Sequence, residues 1–251
     1  MLYKSWIERL AADPQMELIA LREMVESWTS LASEPEDVSY ADSDVGGLAG
    51  TWCIPRDASE GRAILYLHGG CFIFGSPSSH RKLAGHIARA VGARVLLIDY
   101  RKAPEHPHPA QLEDSTMAYQ WLLSEGFEPR HLALAGDSAG GFLATMATIE
   151  LGKAEVPPPA AIVALSPWYD TAVTGATFET NAGLDVLVGK DVMQMFSQMF
   201  RGDVPADDPG ANVLVLTPPA CLPSTSSSAP PRRCSVTRNA SRPRRRRPAS
   251  R

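Results

Sequence analysis

The sequence predicts an α/β fold, a mostly parallel sheet with helices on both of its faces. Short apolar runs alternate along the chain with longer runs whose apolar residues recur at helical spacing. The apolar runs are nearly continuous, which is typical of parallel strands that helices cover on both sides. Two of these runs end in glycine-rich turns, where a strand passes into a loop or a helix. Alternation of this kind indicates a parallel sheet with helical connections.

The elements follow in order from the N-terminus. In residues 3–27 apolar side chains stand at helical spacing, so we predict one or two amphipathic helices. A strand, GLAGTWCIP, comes next and ends at Pro55. Four further segments are predicted as buried strands: GRAILYLHGG, ARVLLIDY, HLALAGDSAGG and PAAIVALSPW. Four others are predicted as helices: HRKLAGHIARAVG, PAQLEDSTMAYQWLLSEG, GFLATMATIELGK and KDVMQMFSQMFRG.

Charge divides the chain near residue 217. The first 217 residues carry 15 Lys and Arg against 28 Asp and Glu, whereas residues 218–251 carry nine Arg and no acidic residue. The composition of the second segment cannot form a packed core. We therefore predict a folded domain over residues 1–217 and a disordered Arg/Pro/Ser-rich tail over residues 218–251.

Cysteine usage and hydropathy set the class of protein. The cysteines show neither CxxC pairing nor clustering with histidine, so the sequence predicts no metal and no disulfide framework; they are Cys53, Cys71, Cys221 and Cys234. The N-terminus lacks the apolar stretch of a signal peptide, and no segment is long and apolar enough to span a membrane. These observations predict a cytoplasmic protein.

The segment GDSAG carries the strongest chemical signal. It fits the pattern G-x-S-x-G, in which a nucleophilic serine stands on a sharp turn between a strand and a helix. Gly136 and Gly140 flank Ser138 because the backbone is crowded there. The segment follows the apolar run LALA and precedes the helical run GFLATMATIEL, which is the context that the pattern requires. We predict Ser138 as a nucleophile; a plain glycine-rich turn is the alternative interpretation.

A second glycine-rich turn, in LYLHGGCFIFGS, provides what a serine nucleophile needs beside it. Gly69 and Gly70 leave backbone N–H groups unobstructed by side chains. Together with the N–H of Ala139, they are predicted to form an oxyanion hole for acyl transfer. His68 comes too early in the chain for a proton-relay histidine, and we interpret it as a structural residue that fixes the loop.

Four segments in this order and at these intervals, HGGCFIFGS, DYRKAPEHPHPAQLED, LALAGDSAGG and LSPWYD, carry a family resemblance. They resemble the hormone-sensitive-lipase-like "HGGG" esterases, and among them the bacterial esterases and lactone hydrolases. The resemblance covers about residues 1–215. It implies an α/β-hydrolase fold with an N-terminal helical cap, in residues 1–35, over the acyl pocket. It also implies hydrolysis of small carboxylic esters or lactones without a cofactor.

Residue by residue, the resemblance assigns the same nucleophile and the same oxyanion donors. It places Asp137 and Glu105 at positions that support the turn at the nucleophile and the neighbouring loop, without a part in the chemistry. Cys71 departs from the family pattern, since the third glycine of "HGGG" would stand there. Because the two glycines before it remain, we expect a tuned oxyanion hole, not a lost one.

The histidines do not stand where the chemistry needs one. In this fold the triad acid and then the histidine follow the nucleophile along the chain. All six histidines precede Ser138, and the last acidic residue is Asp208. His106 and His108 are alternative candidates for the base, but they stand in a Pro-rich loop that the family uses structurally. An unassisted serine is a weak nucleophile, so we expect this chain to be impaired.

The tail reads differently when its codons are shifted by one base. From Pro219 onward the degenerate code then permits Gly-Leu-Pro-Pro, an aliphatic residue, a Tyr or His, three more aliphatic residues and a Gly, with a Glu at the boundary of Pro231 and Arg232. That pattern resembles the strand and loop on which the family carries its catalytic acid. We predict a one-base insertion or deletion near residues 213–218, which removes the later part of the sheet and leaves AIVALSPW at an exposed edge.

Three functions follow from these observations. The first is a serine hydrolase of carboxylic esters or lactones that forms an acyl-enzyme on Ser138. The second is a non-catalytic, hydrolase-like binding protein. The third treats the tail as a genuine basic arm that binds nucleic acid, and the acidic charge of residues 1–217 argues against it. The sequence leaves the oligomeric state open.

Overall fold

A computed structural model describes residues 2–13, 15–182, 184 and 189–216. The disordered tail predicted over residues 218–251, and the shifted reading predicted from Pro219 onward, lie outside the described residues. The helices are α1 (Leu2–Ala12), α2 (Leu18–Glu26), α3 (Pro77–Val91), α4 (Ala110–Ser124), α5 (Ala139–Lys153), α6 (Thr177–Thr180) and α7 (Lys190–Arg201). The strands are β1 (Val38–Val45), β2 (Leu48–Pro55), β3 (Ala63–Leu67), β4 (Arg94–Ile98), β5 (Leu132–Asp137) and β6 (Ala161–Leu165). Short 3-10 turns cover Ser27–Leu31, Pro129–His131 and Val213–Val215.

The strands form one sheet in the order β1-β2-β4-β3-β5-β6. The pairs β4–β3, β3–β5 and β5–β6 are parallel, while β1–β2 and β2–β4 are antiparallel. The predicted mostly parallel α/β sheet is therefore confirmed. The sequence analysis missed β1, which pairs with β2 along its whole length.

Helices cover both faces of the central strands, as predicted. Alternate residues of β4 point to opposite faces: Val95 and Leu97 pack with α3, while Leu96 and Ile98 join the larger core beneath α4 and α5. All four side chains are fully buried. A strand buried on both faces has no polar side to show, which explains why these segments read as continuous apolar runs.

The N-terminal helices pack against the chain that follows β3. Trp6, Met24 and Val25 form a separate small core with Ile73 and Phe74. The predicted helices of the first 35 residues are thus present, and α2 lies against the loop that follows β3. Among the described residues, no helix is both long enough and apolar enough to cross a membrane.

Within the described residues, PAAIVALSPW forms an exposed edge strand, so the prediction of a buried strand is wrong and the expected exposed edge is observed. β6 is the last strand of the described sheet and pairs with β5 alone. Ile162, Val163 and Leu165 are each more than 40% exposed. The segment was predicted as buried because of its apolar composition, but strand side chains are buried only where other elements cover the faces of the sheet.

Candidate active site

Ser138 stands on a strained turn between β5 and α5. Its backbone has φ 51° and ψ −116°, a conformation that side-chain-bearing residues rarely adopt. The Ser138 N–H donates to the Leu165 carbonyl at 2.9 Å, and the Ser138 carbonyl accepts the N–H of Trp168 at 3.0 Å. A conformation of this kind costs of order 1–3 kcal/mol and persists only where the surroundings hold it. The predicted sharp strand-to-helix turn is present.

The two glycines of GDSAG are required by the close approach of β3 to this turn. A Cβ atom on Gly140 would collide with the carbonyl of Leu67, and a Cβ on Gly136 would collide with the backbone of Gly140 and the same Leu67 carbonyl. Leu67 is the last residue of β3, directly before His68. The end of β3 and the start of α5 therefore touch backbone to backbone, which places the loop after β3 beside Ser138.

That loop, residues 69–74, is called the glycine loop below. Gly70, Cys71 and Phe72 have positive φ values of 116°, 56° and 64° in succession. The Gly70 carbonyl accepts the N–H groups of Ile73 at 2.9 Å and Phe74 at 2.8 Å, which closes a tight turn. Burial raises the pKa of the Cys71 thiol to about 12, so it remains protonated and a poor nucleophile at neutral pH.

One of the predicted oxyanion donors is already engaged. The Gly69 N–H donates to Asp137 Oδ1 at 3.1 Å, so it is not free to bind a substrate oxygen. Among the described residues, the N–H groups of Gly70, Cys71 and Ala139 donate to no protein acceptor. Ala139 begins α5, where the first N–H groups have no partner within the helix. The predicted donor role of Gly69 therefore does not fit the structure, whereas the N–H groups of Gly70, Cys71 and Ala139 are available as donors.

The carboxylate of Asp137 links the turn at Ser138 to strand β3 and to the glycine loop. Its Oδ1 accepts the hydroxyl of Tyr66 at 2.9 Å in addition to the Gly69 N–H, and His80 Nε2 lies 3.6 Å away. Burial alone would raise the pKa of the Asp137 carboxyl, but His80 and the Tyr66 hydroxyl outweigh burial and hold that pKa below its usual value. Asp137 directly precedes Ser138, and its side chain accepts a hydrogen bond from the glycine loop. This contact is consistent with the supporting position expected of Asp137.

His68 is packed under the glycine loop. It is fully buried, its ring stacks on Tyr100 at a centroid distance of 4.2 Å, and its Nδ1 donates to the Gly69 carbonyl at 2.8 Å. The Tyr100 hydroxyl donates to the His68 carbonyl at 2.8 Å. Burial, with the charge of neighbouring His80, pushes the pKa of His68 well below its usual value. A neutral, enclosed ring of this kind suits a loop anchor.

The two histidines of the Pro-rich loop lie elsewhere. The ring of His108 lies edge-on to Phe200 at 5.4 Å, and the His108 N–H donates to the Phe200 carbonyl at 2.7 Å. The His106 carbonyl accepts the side-chain amide of Gln111. Within the described residues, neither histidine forms a hydrogen bond with Ser138.

Glu105 binds a residue that the sequence analysis did not single out. Its carboxylate accepts two hydrogen bonds from Arg22 of α2, at 2.8 Å from Nη1 and 2.7 Å from Nη2. These bonds lower the pKa of Glu105 to about 2. Arg22, Tyr66 and His80 are thus three further residues around the site, and no local motif marks them.

The arrangement combines a half-buried serine hydroxyl on a strained turn with N–H groups of two backbone segments that donate to no protein acceptor among the described residues. Such a pair of groups can attack a carbonyl carbon and bind the oxygen that becomes negative. The described residues supply this part of an acyl-transfer site, and the six histidines of the sequence all stand before Ser138.

Known proteins resemble this chain over most of its length. A family profile described as alpha/beta hydrolase fold matches residues 64–228. An acetyl-hydrolase of Streptomyces hygroscopicus is 38% identical over 213 residues, which are 77% of this chain and 70% of that protein. The carboxylesterase/phospholipase LipF of Mycobacterium tuberculosis is 40% identical over 127 residues, 51% of this chain but only 34% of its own length. A crystal structure of an esterase from the bacterial hormone-sensitive lipase (HSL) family superposes with a TM-score of 0.79 at 38% identity, covering 85% of this chain and 71% of the other.

Proposed function

Since this chain belongs to the alpha/beta hydrolase fold family, among its hormone-sensitive-lipase-like bacterial esterases, we propose that Ser138 attacks the carbonyl carbon of small carboxylic esters or lactones. The family is one of carboxylic ester hydrolases, and the predicted family resemblance is confirmed. The observation that carries the proposal is the strained backbone of Ser138 beside the unpaired N–H groups of Gly70 and Ala139.

The first step joins Ser138 Oγ to the ester carbonyl carbon and leaves a negative oxygen. The N–H groups of Gly70, Cys71 and Ala139 are the proposed donors to that oxygen. Fixed backbone dipoles cost no reorganisation when charge develops, which makes this kind of stabilisation large. Collapse of the tetrahedral intermediate breaks the bond to the alcohol, which leaves with a proton, and the acyl group stays on Ser138. Water then releases the acid and restores the hydroxyl.

Both steps need a base for the proton of the attacking oxygen. A serine hydroxyl without a base is a weak nucleophile, and a positioned base contributes roughly 10²–10⁴-fold. No histidine follows Ser138 in the 251 residues. We therefore propose that this polypeptide acylates slowly and deacylates more slowly still, because the step that uses water has no fixed base either.

The test is acylation by p-nitrophenyl acetate followed by intact-mass measurement. We expect a slow gain of one acetyl group that Ser138→Ala abolishes. Added imidazole should speed release of the acetyl group, because a free base then replaces the missing one. Since imidazole itself attacks p-nitrophenyl esters, Ser138→Ala at the same imidazole concentration is the matched control. Equal acetylation of both proteins would overturn the assignment of Ser138.

The position of the histidines favours one other candidate, a hydrolase-like protein that binds esters without turnover. It predicts saturable binding of a non-hydrolysable ester analogue with no acetyl group gained by Ser138. The acetylation experiment separates the two, since a binding protein leaves the mass unchanged at every imidazole concentration.

A further inference from the structure

We infer that Arg22, on the N-terminal helix α2, is a positioning residue that holds the glycine loop in its strained shape. Its Nε donates to the Ile73 carbonyl at 3.0 Å, and its Nη2 donates to the Ala103 carbonyl at 2.9 Å. The same guanidinium is bidentate on Glu105. One side chain therefore joins helix α2 to the glycine loop and to the segment after β4.

The glycine loop needs such support because of its backbone conformation. Cys71 and Phe72 carry side chains at positive φ, which strains each of them. Strained residues persist only where surrounding contacts over-determine them. Within the fold, the Gly70 carbonyl accepts two N–H groups and the Phe72 carbonyl accepts the Ala103 N–H at 3.0 Å. Arg22 donates to the carbonyl of Ile73, the residue directly after the run of positive φ values.

A second contact from the same helix acts on the other side of the loop. Glu26 stands one helical turn after Arg22, and its Oε2 accepts the hydroxyl of Ser76 at 2.7 Å. Ser76 is the N-cap of α3. Between the two, Met24 and Val25 pack on the loop with their apolar side chains. Helix α2 therefore forms hydrogen bonds with both ends of the segment 73–76, through Arg22 at Ile73 and through Glu26 at Ser76.

Through Arg22, helix α2 contacts the loop that carries the proposed oxyanion donors. The N–H groups of Gly70 and Cys71 lie within the segment that Arg22 restrains from Ile73. A displacement of about 1 Å in a positioning contact can cost roughly 10²-fold in rate. The expected effect on rate rests on the proposed function, whereas the effect on loop order does not.

Loop order is measured by hydrogen–deuterium exchange of the 251-residue chain, resolved to peptides by mass spectrometry. In Arg22→Gln we expect the peptide spanning residues 70–76 to exchange about tenfold faster at the hydrogen-bonded amides of Ile73, Phe74 and Ser76, while peptides from β3 and β5 keep their protection. Glu23→Gln, an exposed position on the same helix, is the matched control and should leave the exchange of every peptide unchanged. Unchanged exchange at residues 70–76 in Arg22→Gln would overturn the inference, as would an equal rise over the whole chain.

Two further variants separate positioning from a simple ion pair. Glu105→Gln leaves the Arg22 contacts to Ile73 and Ala103 in place, so exchange at residues 70–76 should rise less than in Arg22→Gln. Arg22→Lys keeps the charge and one donor, and it should fall between Arg22→Gln and the unsubstituted chain. If Arg22→Gln does not fold, these two variants decide: a larger rise in Arg22→Lys, whose single side-chain nitrogen cannot keep all three partners, than in Glu105→Gln supports positioning, and equal effects of the two overturn it.

The rate of Ser138 acetylation gives the second readout. With p-nitrophenyl acetate we expect Arg22→Gln to lower the limiting acetylation rate about tenfold with little change in the half-saturating ester concentration, less than the roughly 10²–10³-fold loss that follows removal of an oxyanion donor. A change in half-saturation alone would overturn positioning of the donors. If the unsubstituted chain gains no Ser138 acetyl group at all, the proposed function fails, and the exchange experiment still judges Arg22.

Discussion

Strands β5 and β6 are neighbours in one sheet, yet their side chains differ in solvent exposure. Leu134 of β5 is fully buried, while its register partner Ile162 of β6 is 41% exposed. β5 leads into a turn held by contacts from β3, the glycine loop and the segment after β6, and β6 has one strand neighbour among the described residues. The turn at Ser138 and the glycine loop follow β5 and β3, which are interior strands of the sheet. In this fold the triad acid and histidine follow the nucleophile, and no histidine follows Ser138 in the 251 residues.

The largest effect that sharpens this comparison is expected at Gly140. In Gly140→Ala the new methyl group meets the Leu67 carbonyl, and neither backbone can move without breaking the β3–β5 pairing. We expect a loss of more than about 4 kcal/mol in the free energy of unfolding, or no folding at all. Urea unfolding followed by circular dichroism measures it.

Gly175→Ala is the control for that variant. A Cβ at Gly175 meets its neighbours only at ordinary contact distances of 3.7–3.9 Å. Its free energy of unfolding should stay within about 0.5 kcal/mol of the unsubstituted chain. Equal stability of the two variants would show that β3 and α5 are not in backbone contact.

The next effect compares the register partners directly. Leu134→Ala removes a fully buried side chain and should cost about 2–5 kcal/mol. Ile162→Ala removes a similar side chain from the open edge and should cost less than about 1 kcal/mol. Urea unfolding of both variants gives the difference. A cost at Ile162 as large as that at Leu134 would mean that residues outside the described ranges cover β6.

Local patterns predicted the elements that depend on local chemistry. The helix after the glycine loop ends at Gly92, which has φ 63°, as its glycine stop indicates. The turn at Ser138 was recognised because its glycines, strand and helix are contiguous in the sequence. Strand β1 was missed since its acidic residues hide the apolar alternation. The pair Gly46 and Gly47, both at positive φ, could have revealed its hairpin with β2.

Contacts between residues that are distant in the sequence could not be predicted from local patterns. The Gly69 N–H was assigned to the oxyanion hole, but it meets a carboxylate 68 positions away. Arg22 and Glu105 are 83 positions apart, and neither lies in a motif that names the other. The sequence thus predicted the segments of the candidate site, and the structure was needed to find which of their N–H groups donate to no protein acceptor among the described residues and which side chains contact the glycine loop.

The smallest predicted effect is a pH dependence from Asp137. Its pKa is lower in the folded chain than the value of about 3.9 of an unfolded Asp. A depressed carboxyl pKa adds stability that is fully present above the unfolded value and is lost as pH falls through the folded value. The free energy of unfolding should therefore decline as the pH drops below about 5.

Asp137→Asn removes this titration while its amide oxygen can still accept the N–H of Gly69. We expect that variant to be less stable at neutral pH by roughly 1–3 kcal/mol and to lose less stability between neutral and acidic pH than the unsubstituted chain. Asp57→Asn, at an exposed position, should keep the full pH dependence. Urea unfolding at a series of pH values compares the three slopes. If the free energy of unfolding falls equally with pH in Asp137→Asn and Asp57→Asn, Tyr66 and His80 do not stabilise the charge of the Asp137 carboxylate. Packing and backbone contacts alone would then hold the turn at Ser138.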